Sequence, residues 1–113
     1  MFETIESIHN SREFQRTVLQ SDRPVLAIFY TDWCEDSYKL QSVLSELLKD
    51  YGDRVRVVKA DTDKAPDLEQ LYQIKVTPTV LLFEHGEITR RWNNDLELGD
   101  YRQVLEGVMA QRH

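Results

Sequence analysis

Cys34, the single cysteine of the chain, is the side chain best suited to chemistry. It lies in the segment Thr31–Ser37, between an apolar run and a long amphipathic pattern. A cysteine at the start of a helix faces unpaired N–H groups and the positive end of the helix dipole, which favour the thiolate. Because a thiolate attacks disulfides, this position predicts thiol–disulfide chemistry. The alternative is a small buried apolar residue, the usual role of a lone cysteine, but the acidic residues beside Cys34 argue against it.

The patterns on either side of Cys34 predict the elements that position it. Val25–Tyr30 is apolar throughout, as in a strand that is covered on both faces. Cys34 then lies at the carboxyl end of a central strand, where open α/β sheets place their sites. The residues after it have the i, i+3, i+4, i+7 spacing of a long amphipathic helix: Leu40, Val43, Leu44, Leu47 and Leu48.

The remaining patterns predict an α/β protein with one mixed sheet and helices on both faces. Helices between the early strands imply parallel crossovers, and a two-residue turn implies an antiparallel hairpin at the end. The predicted strands are a strand or lead-in at Phe2–Ser7, a strand at 54–59, and two strands at 79–84 and 87–92 that flank the turn His85-Gly86. The predicted helices are one capped by Asn10 and Glu13, one at about 98–111, and one that begins at Ala65 and has Leu68, Leu71 and Tyr72 on its apolar face.

Length and composition limit the classes of protein that fit. A chain of 113 residues suits a single domain over 1–113. The net charge of −6 excludes a nucleic-acid-binding surface, which needs a basic face. One cysteine excludes an internal disulfide and a Cys-rich zinc site, so we expect no metal or cofactor. With no signal pattern and no apolar run near the ~20 residues of a membrane span, we expect a cytoplasmic protein that does not enter membranes.

Four segments, in this order and spacing, point to a known family: Tyr30-Thr31-Asp32-Trp33-Cys34, Lys59-Ala60-Asp61, Val76-Thr77-Pro78-Thr79 and Phe83-Glu84-His85-Gly86-Glu87. Through these segments the chain resembles the thioredoxin family over nearly its full length. The resemblance implies the thioredoxin fold, with Cys34 as the nucleophile and a cis Thr77–Pro78 bond that faces it. It also implies that the Thr77 backbone pairs with an extended substrate segment and that the Pro78 ring lies near the sulfur.

Further substrate contacts are expected from the residues around the nucleophile. Trp33 is expected to lie on the surface of the site and, with Tyr30 and the Thr77-Pro78 segment, to form an apolar patch for a partner. Glu35 and Asp36 stand where Gly-Pro is common in the family. Two carboxylates there are expected to raise the pKa of the Cys34 thiol relative to a neutral pair.

Ser37 departs from the Cys-x-x-Cys motif of the family, because it occupies the position of the second, resolving cysteine. A serine hydroxyl cannot release a mixed disulfide, so an external thiol has to do so. Two origins remain open. The chain is a natural monothiol protein, or it carries an engineered Cys→Ser replacement, which the otherwise ordinary dithiol pattern slightly favours.

Other positions also differ from the family or have structural alternatives. The buried acid of the family maps to Ile28, so its proton route is absent, and Lys59, which matches the partner of that acid, is expected to reach solvent. Asn93-Asn94 stands where the family usually has a glycine, and an asparagine there is expected to tolerate the left-handed conformation. Trp92 is expected to pack in the core, and Asp61 and Asp63 are expected to cap the next helix.

Three functions fit these observations. The first is a thiol–disulfide oxidoreductase for protein or low-molecular-weight disulfides, for which a thioredoxin reductase-like protein is expected as the reductant. The second is a redox-inactive adaptor that uses the same surface. The third is a glutaredoxin-like monothiol protein that uses glutathione or shares an iron–sulfur cluster, although its paired glycines are missing. A monomer or weak dimer is expected.

Overall fold

A computed structural model describes residues 5–111 of the chain. The predicted order of helices and strands is confirmed, although one strand begins at Arg56 rather than at residue 54. The expected lead-in at Phe2 lies outside the described residues. The elements are β1 (Glu6–Ser7), α1 (Ser11–Phe14) with a π-helical turn (Gln15–Leu19), β2 (Val25–Tyr30), α2 (Glu35–Tyr51), β3 (Arg56–Asp61), α3 (Pro66–Leu71), β4 (Thr79–Glu84), β5 (Glu87–Asn93) and α4 (Leu98–Gln111).

The five strands form one mixed sheet in the order β1-β3-β2-β4-β5. β1 and β2 run parallel to β3, as predicted for the early strands. β4 also follows a helix, but it runs antiparallel to β2. The six residues of α3 extend only about 9 Å, and β3 is roughly 20 Å long. The chain therefore re-enters the sheet at the edge where β3 ends, and β4 takes the opposite direction.

Helices cover both faces of the sheet, and each face has its own core. β2 is buried along its whole length, as its apolar run predicted. Leu40, Leu44 and Leu47 of α2 pack with Tyr101 and the other buried residues of α4 on one face. The other face holds the buried residues of α1 and α3. No helix within residues 5–111 is long and apolar enough to cross a membrane.

An aromatic cluster fills the core between the sheet and α1. The ring of Phe14 lies 5.0 Å from that of Tyr72, 5.4 Å from that of Phe83 and 6.0 Å from that of Phe29, between centroids. Leu71, predicted on the buried face of α3, is 60% exposed, so that prediction is wrong. The helix ends at Leu71, and Tyr72 takes the inward position beside Phe14.

The last two strands form the predicted hairpin. His85 and Gly86 have φ values of 53° and 81°, the two positive angles of a type I′ turn. A Cβ on Gly86 would lie 2.8 Å from the carbonyl oxygen of Leu19, so glycine is required there for space as well as for backbone conformation. The hairpin therefore docks against the π-helical turn after α1.

Candidate functional site

Cys34 is the N-cap residue of α2 and follows the carboxyl end of β2 after a loop of residues 31–33. Its backbone is extended, with φ −85° and ψ 119°, and its carbonyl accepts from the Ser37 amide at 3.2 Å. Its own amide donates to the Thr31 carbonyl at 3.3 Å. The side chain is half-buried. The sulfur is therefore placed at the N-terminus of a 17-residue helix while remaining open to a reactant.

The segment before β4 faces the sulfur. The Thr77–Pro78 peptide bond is cis, the geometry that the resemblance implied. Cys34 Sγ donates to the Thr77 carbonyl oxygen at 3.3 Å. Two hydrogen bonds fix this segment: the Thr79 hydroxyl donates to the Val76 carbonyl at 2.7 Å, and the Asn94 amide donates to the Pro78 carbonyl at 2.8 Å. Of the pair Asn93-Asn94, which was predicted to include a left-handed residue, Asn94 has a φ of 60°.

The surroundings of the sulfur favour the thiolate. Burial, the largest influence, raises the pKa of the Cys34 thiol. Hydrogen bonds to the thiolate from the Thr77 side chain, from the amide and hydroxyl of Ser37 and from the Asp36 amide lower it. These bonds together outweigh burial, so the pKa of Cys34 lies below that of an ordinary thiol. The predicted effect of the Glu35 and Asp36 carboxylates, relative to a neutral pair, stays a prediction.

Ser37 lies in the first turn of α2 with its side chain fully buried, 0% exposed. Its hydroxyl meets no partner in bonding geometry among the described residues, although it lies close enough to Cys34 to lower the pKa of that thiol. A buried hydroxyl without a partner loses the hydrogen bonds that it made to water. A thiol is a much weaker hydrogen-bonding group and loses less on burial. Position 37 therefore suits a thiol better than a hydroxyl.

Trp33 forms one wall of a groove beside the sulfur. Its side chain is 74% exposed, and its Nε1 donates to Asp63 Oδ2 at 2.7 Å. Val76, which also lines the groove, is exposed as well. Tyr30 is buried, so the expectation that it shares the exposed apolar patch is wrong. The groove encloses about 420 Å³ and is lined by Thr31, Trp33, Cys34, Thr62, Asp63, Glu69, Ile74, Lys75, Val76, Thr77 and Asn94.

The acidic residues near the site divide into two groups. Glu35 and Asp36 belong to the first turn of α2, where carboxylates favour the helix dipole, and neither lines the groove. The prediction that Asp61 and Asp63 cap α3 is wrong, because the N-cap residue of that helix is Ala65. Asp61 Oδ1 instead accepts from the Asp63 amide at 2.9 Å. Within residues 5–111, no cluster of His, Cys, Asp and Glu could hold a metal ion.

The positions behind the site form one row across the sheet. Ile28 lies opposite Lys59 on one side and Val80 on the other, and Trp92 lies opposite Val80. Lys59 is only 9% exposed, so the expected extension into solvent is wrong. Trp92 packs in the core as predicted, stacked on Tyr101 with ring centroids 4.5 Å apart. This row offers an apolar side chain at the position of the family's buried acid.

Several groove residues were not singled out from the sequence. Glu69 and Lys75 give the groove charges of both signs, and they come from α3 and the loop after it. The partner of Trp33, Asp63, was expected in a capping role. No local pattern marks such residues, because they meet Cys34 only after the chain has folded.

Comparisons with known proteins agree with this geometry. The family model described as Thioredoxin matches residues 6–106. Thioredoxin from Rickettsia bellii is 38% identical over 76 residues, 67% of this chain and 72% of that protein. Chloroplastic thioredoxin Y from Oryza sativa subsp. japonica is 31% identical over 96 residues, 85% of this chain but only 57% of that protein. Oxidized mitochondrial thioredoxin 3 from Saccharomyces cerevisiae shares the fold, with a TM-score of 0.83 and 23% identity over 92% of this chain and 95% of that one.

Proposed function

Because the chain belongs to the thioredoxin family, we propose that it is a thiol–disulfide oxidoreductase that acts through one thiol, Cys34. One observation carries the proposal: the half-buried sulfur lies at the N-terminus of α2, 3.3 Å from the Thr77 carbonyl, with a lowered pKa. A thiolate with access to a groove is the species that attacks disulfides.

The reaction begins when the Cys34 thiolate attacks one sulfur of a disulfide. A bond forms between that sulfur and Cys34 Sγ, the disulfide bond breaks, and the other sulfur leaves as a thiolate that takes up a proton from water. Ser37 cannot attack the mixed disulfide, so an external thiolate, such as that of a small thiol, resolves it. When that thiolate attacks the substrate sulfur, Cys34 leaves as the thiolate, and the hydroxyl of Ser37 stabilises its charge.

The groove supports an extended segment next to the disulfide as the substrate. The exposed faces of Trp33 and Val76 contact its apolar side chains, and the Thr77 backbone lies alongside the reacting sulfur. Pro78 shapes the groove from the start of β4. Disulfide-bearing proteins and low-molecular-weight disulfides are the proposed partners, in the cytoplasm or another reducing compartment, where free thiols are supplied.

A redox-inactive adaptor is the second candidate function. It is supported by the buried Ser37 in place of a resolving thiol and by Ile28 in place of the family's acid. In that case the exposed Trp33 and the groove would bind a partner without any reaction at Cys34.

The two functions differ in the fate of Cys34 with a disulfide reagent at neutral pH. For the oxidoreductase we expect complete conversion to a one-to-one mixed disulfide, detected by intact-protein mass spectrometry. Cys34→Ser is expected to give no adduct, because it removes the only thiol of the chain. A chain that remains unmodified after prolonged exposure would favour the adaptor.

Because only the thiolate attacks, the rate of adduct formation is expected to rise with pH through the lowered pKa of Cys34 and to level off above it. Ser37→Ala removes one of the groups that lower this pKa, so its pH–rate curve should move to higher pH. At a pH below the pKa of Cys34, where the thiol is protonated, the stability of Ser37→Ala should be unchanged or up to about 1 kcal/mol higher, since the hydroxyl has no partner to lose there.

Ser45→Ala is the matched control on the same helix, because the Ser45 hydroxyl donates only to the Gln41 carbonyl at 3.0 Å. We expect it to leave the pH–rate curve in place. An identical curve for Ser37→Ala would show that the Ser37 hydroxyl has no part in stabilising the thiolate.

A further inference from the structure

The end of α3 adopts a backbone conformation for which glycine is usually required. The Ile74 amide donates to the Glu69 carbonyl at 2.9 Å, and the Gln73 amide donates to the Gln70 carbonyl at 3.3 Å. These two bonds form a Schellman motif, in which the first residue beyond the C-cap, here Gln73, adopts the left-handed conformation. Gln73 has a φ of 52°, a value that its Cβ disfavours. Contacts from outside the helix can therefore offset the cost of this conformation.

Arg91 of β5 makes those contacts. Its Nη1 donates to the Tyr72 carbonyl at 2.9 Å, its Nη2 donates to the Gln73 carbonyl at 2.8 Å, and its Nε donates to Asn93 Oδ1 at 2.9 Å. The two hydrogen bonds of the Schellman motif end on the Glu69 and Gln70 carbonyls, so neither carbonyl bound by Arg91 accepts a bond within the motif. Arg91 lies opposite Leu81 of β4, so its guanidinium ties the turn to the sheet.

The turn leads directly into one wall of the groove. Lys75, Val76 and Thr77 follow it and line the groove, and the Thr77 carbonyl accepts from Cys34 Sγ at 3.3 Å. Because so few residues separate Gln73 from this wall, a change in backbone direction at Gln73 moves the wall relative to the sulfur.

We propose that Arg91 is a positioning residue for thiol–disulfide exchange, holding the turn at Gln73 and thereby the Thr77 backbone that lies along the substrate. The proposal rests on the proposed function, which assigns the groove to a disulfide-bearing segment. Trp33, which also lines the groove, is held independently of Arg91, because its Nε1 donates to Asp63 in the loop between β3 and α3. Loss of the Arg91 guanidinium therefore displaces the wall formed by Lys75, Val76 and Thr77, while Cys34 keeps its place at the N-terminus of α2.

The test compares Arg91→Ala with Arg90→Ala, a matched control on the same strand whose guanidinium lies over the Trp92 ring at 6.0 Å. The rate of Cys34 modification is measured with two reagents, an extended peptide disulfide and bis(2-hydroxyethyl) disulfide, which is too small to span the groove. Both are used at a pH where Cys34 is fully thiolate, so that a change in its pKa does not contribute.

For Arg91→Ala we expect the peptide reaction to slow by about tenfold and the small-disulfide reaction to stay within about twofold of the unchanged chain, because misplacement affects the positioned substrate. Arg90→Ala should alter neither rate. Adding Gln73→Gly to Arg91→Ala should restore most of the peptide rate, since glycine adopts the left-handed turn without a Cβ.

The rate with the peptide disulfide divided by the rate with bis(2-hydroxyethyl) disulfide decides the outcome. A folded Arg91→Ala chain with an unchanged ratio overturns the proposal, and so does a lowered ratio that Gln73→Gly fails to restore. If Arg91→Ala does not fold, Arg91→Lys, which lacks the two-pronged donor geometry, takes its place in the same comparison. Failure of the proposed function looks different, because the unchanged chain would then react with neither disulfide.

Discussion

Ser37→Cys is expected to let the chain release its reduced substrate without the external thiol that the proposed mechanism otherwise requires. The new thiol attacks the mixed disulfide at Cys34 within the same turn of α2, so resolution becomes intramolecular. We expect release of the substrate thiol from the mixed disulfide to be about 100-fold or more faster than its release from the unchanged chain by a millimolar external thiol. The measurement is the rate at which the pre-reduced variant reduces one equivalent of a fluorogenic protein disulfide, together with the loss of two hydrogens in the mass of the variant after this single turnover.

Ser37→Ala is the control for that experiment, since it changes the same buried position without adding a thiol. Without an external thiol, it is expected to stop at the mixed disulfide, as the unchanged chain is. Ser37→Cys combined with Cys34→Ser should also fail to turn over, because the nucleophile is then absent. Product release from Ser37→Cys no faster than from Ser37→Ala would contradict the assignment of position 37 as the place of a resolving group.

Phe14→Ala is expected to have the largest effect on stability. Phe14 is 1% exposed and touches three aromatic rings, so truncation leaves a cavity between the sheet and α1. Such changes cost about 3–5 kcal/mol, which for a domain of this size lowers Tm by roughly 10–25 °C. Thermal unfolding followed by circular dichroism measures the change.

Ile88→Ala provides the comparison for the core variant, because it also removes a large apolar side chain, but one that is 46% exposed on β5. We expect a loss below about 1 kcal/mol. A Phe14→Ala chain with a Tm within a few degrees of that of Ile88→Ala would show that the aromatic cluster does not anchor α1.

Local pattern predicted much of the fold, because hydrophobic period and turn chemistry are local properties of the chain. The uninterrupted apolar run of β2 and the turn residues His85 and Gly86 gave correct elements. The direction of β4 was harder to predict, since it depends on how far the short helix α3 carries the chain across the sheet. The capping box shows the same limit: Asn10 accepts from the Glu13 amide as predicted, but the Glu13 carboxylate accepts from His9.

The candidate site was predictable where it follows from one segment and not where it depends on distant contacts. Cys34 at a helix start could be inferred from its own neighbours. The bond from Trp33 to Asp63 spans 30 positions, and the contact of Arg91 with the Gln73 carbonyl spans 18. Each depends on side chains that are brought together by the sheet, so no spacing in the sequence marks it.

The unlike surroundings of the two tryptophans give the protein a built-in pair of optical reporters. Trp33 lies in solvent at the groove, so its emission should occur at long wavelength and respond when a partner sulfur binds beside it. Trp92 is buried against Tyr101, and its emission should lie at shorter wavelength until the core opens. A single fluorescence spectrum thus separates occupancy of the groove from unfolding of the sheet.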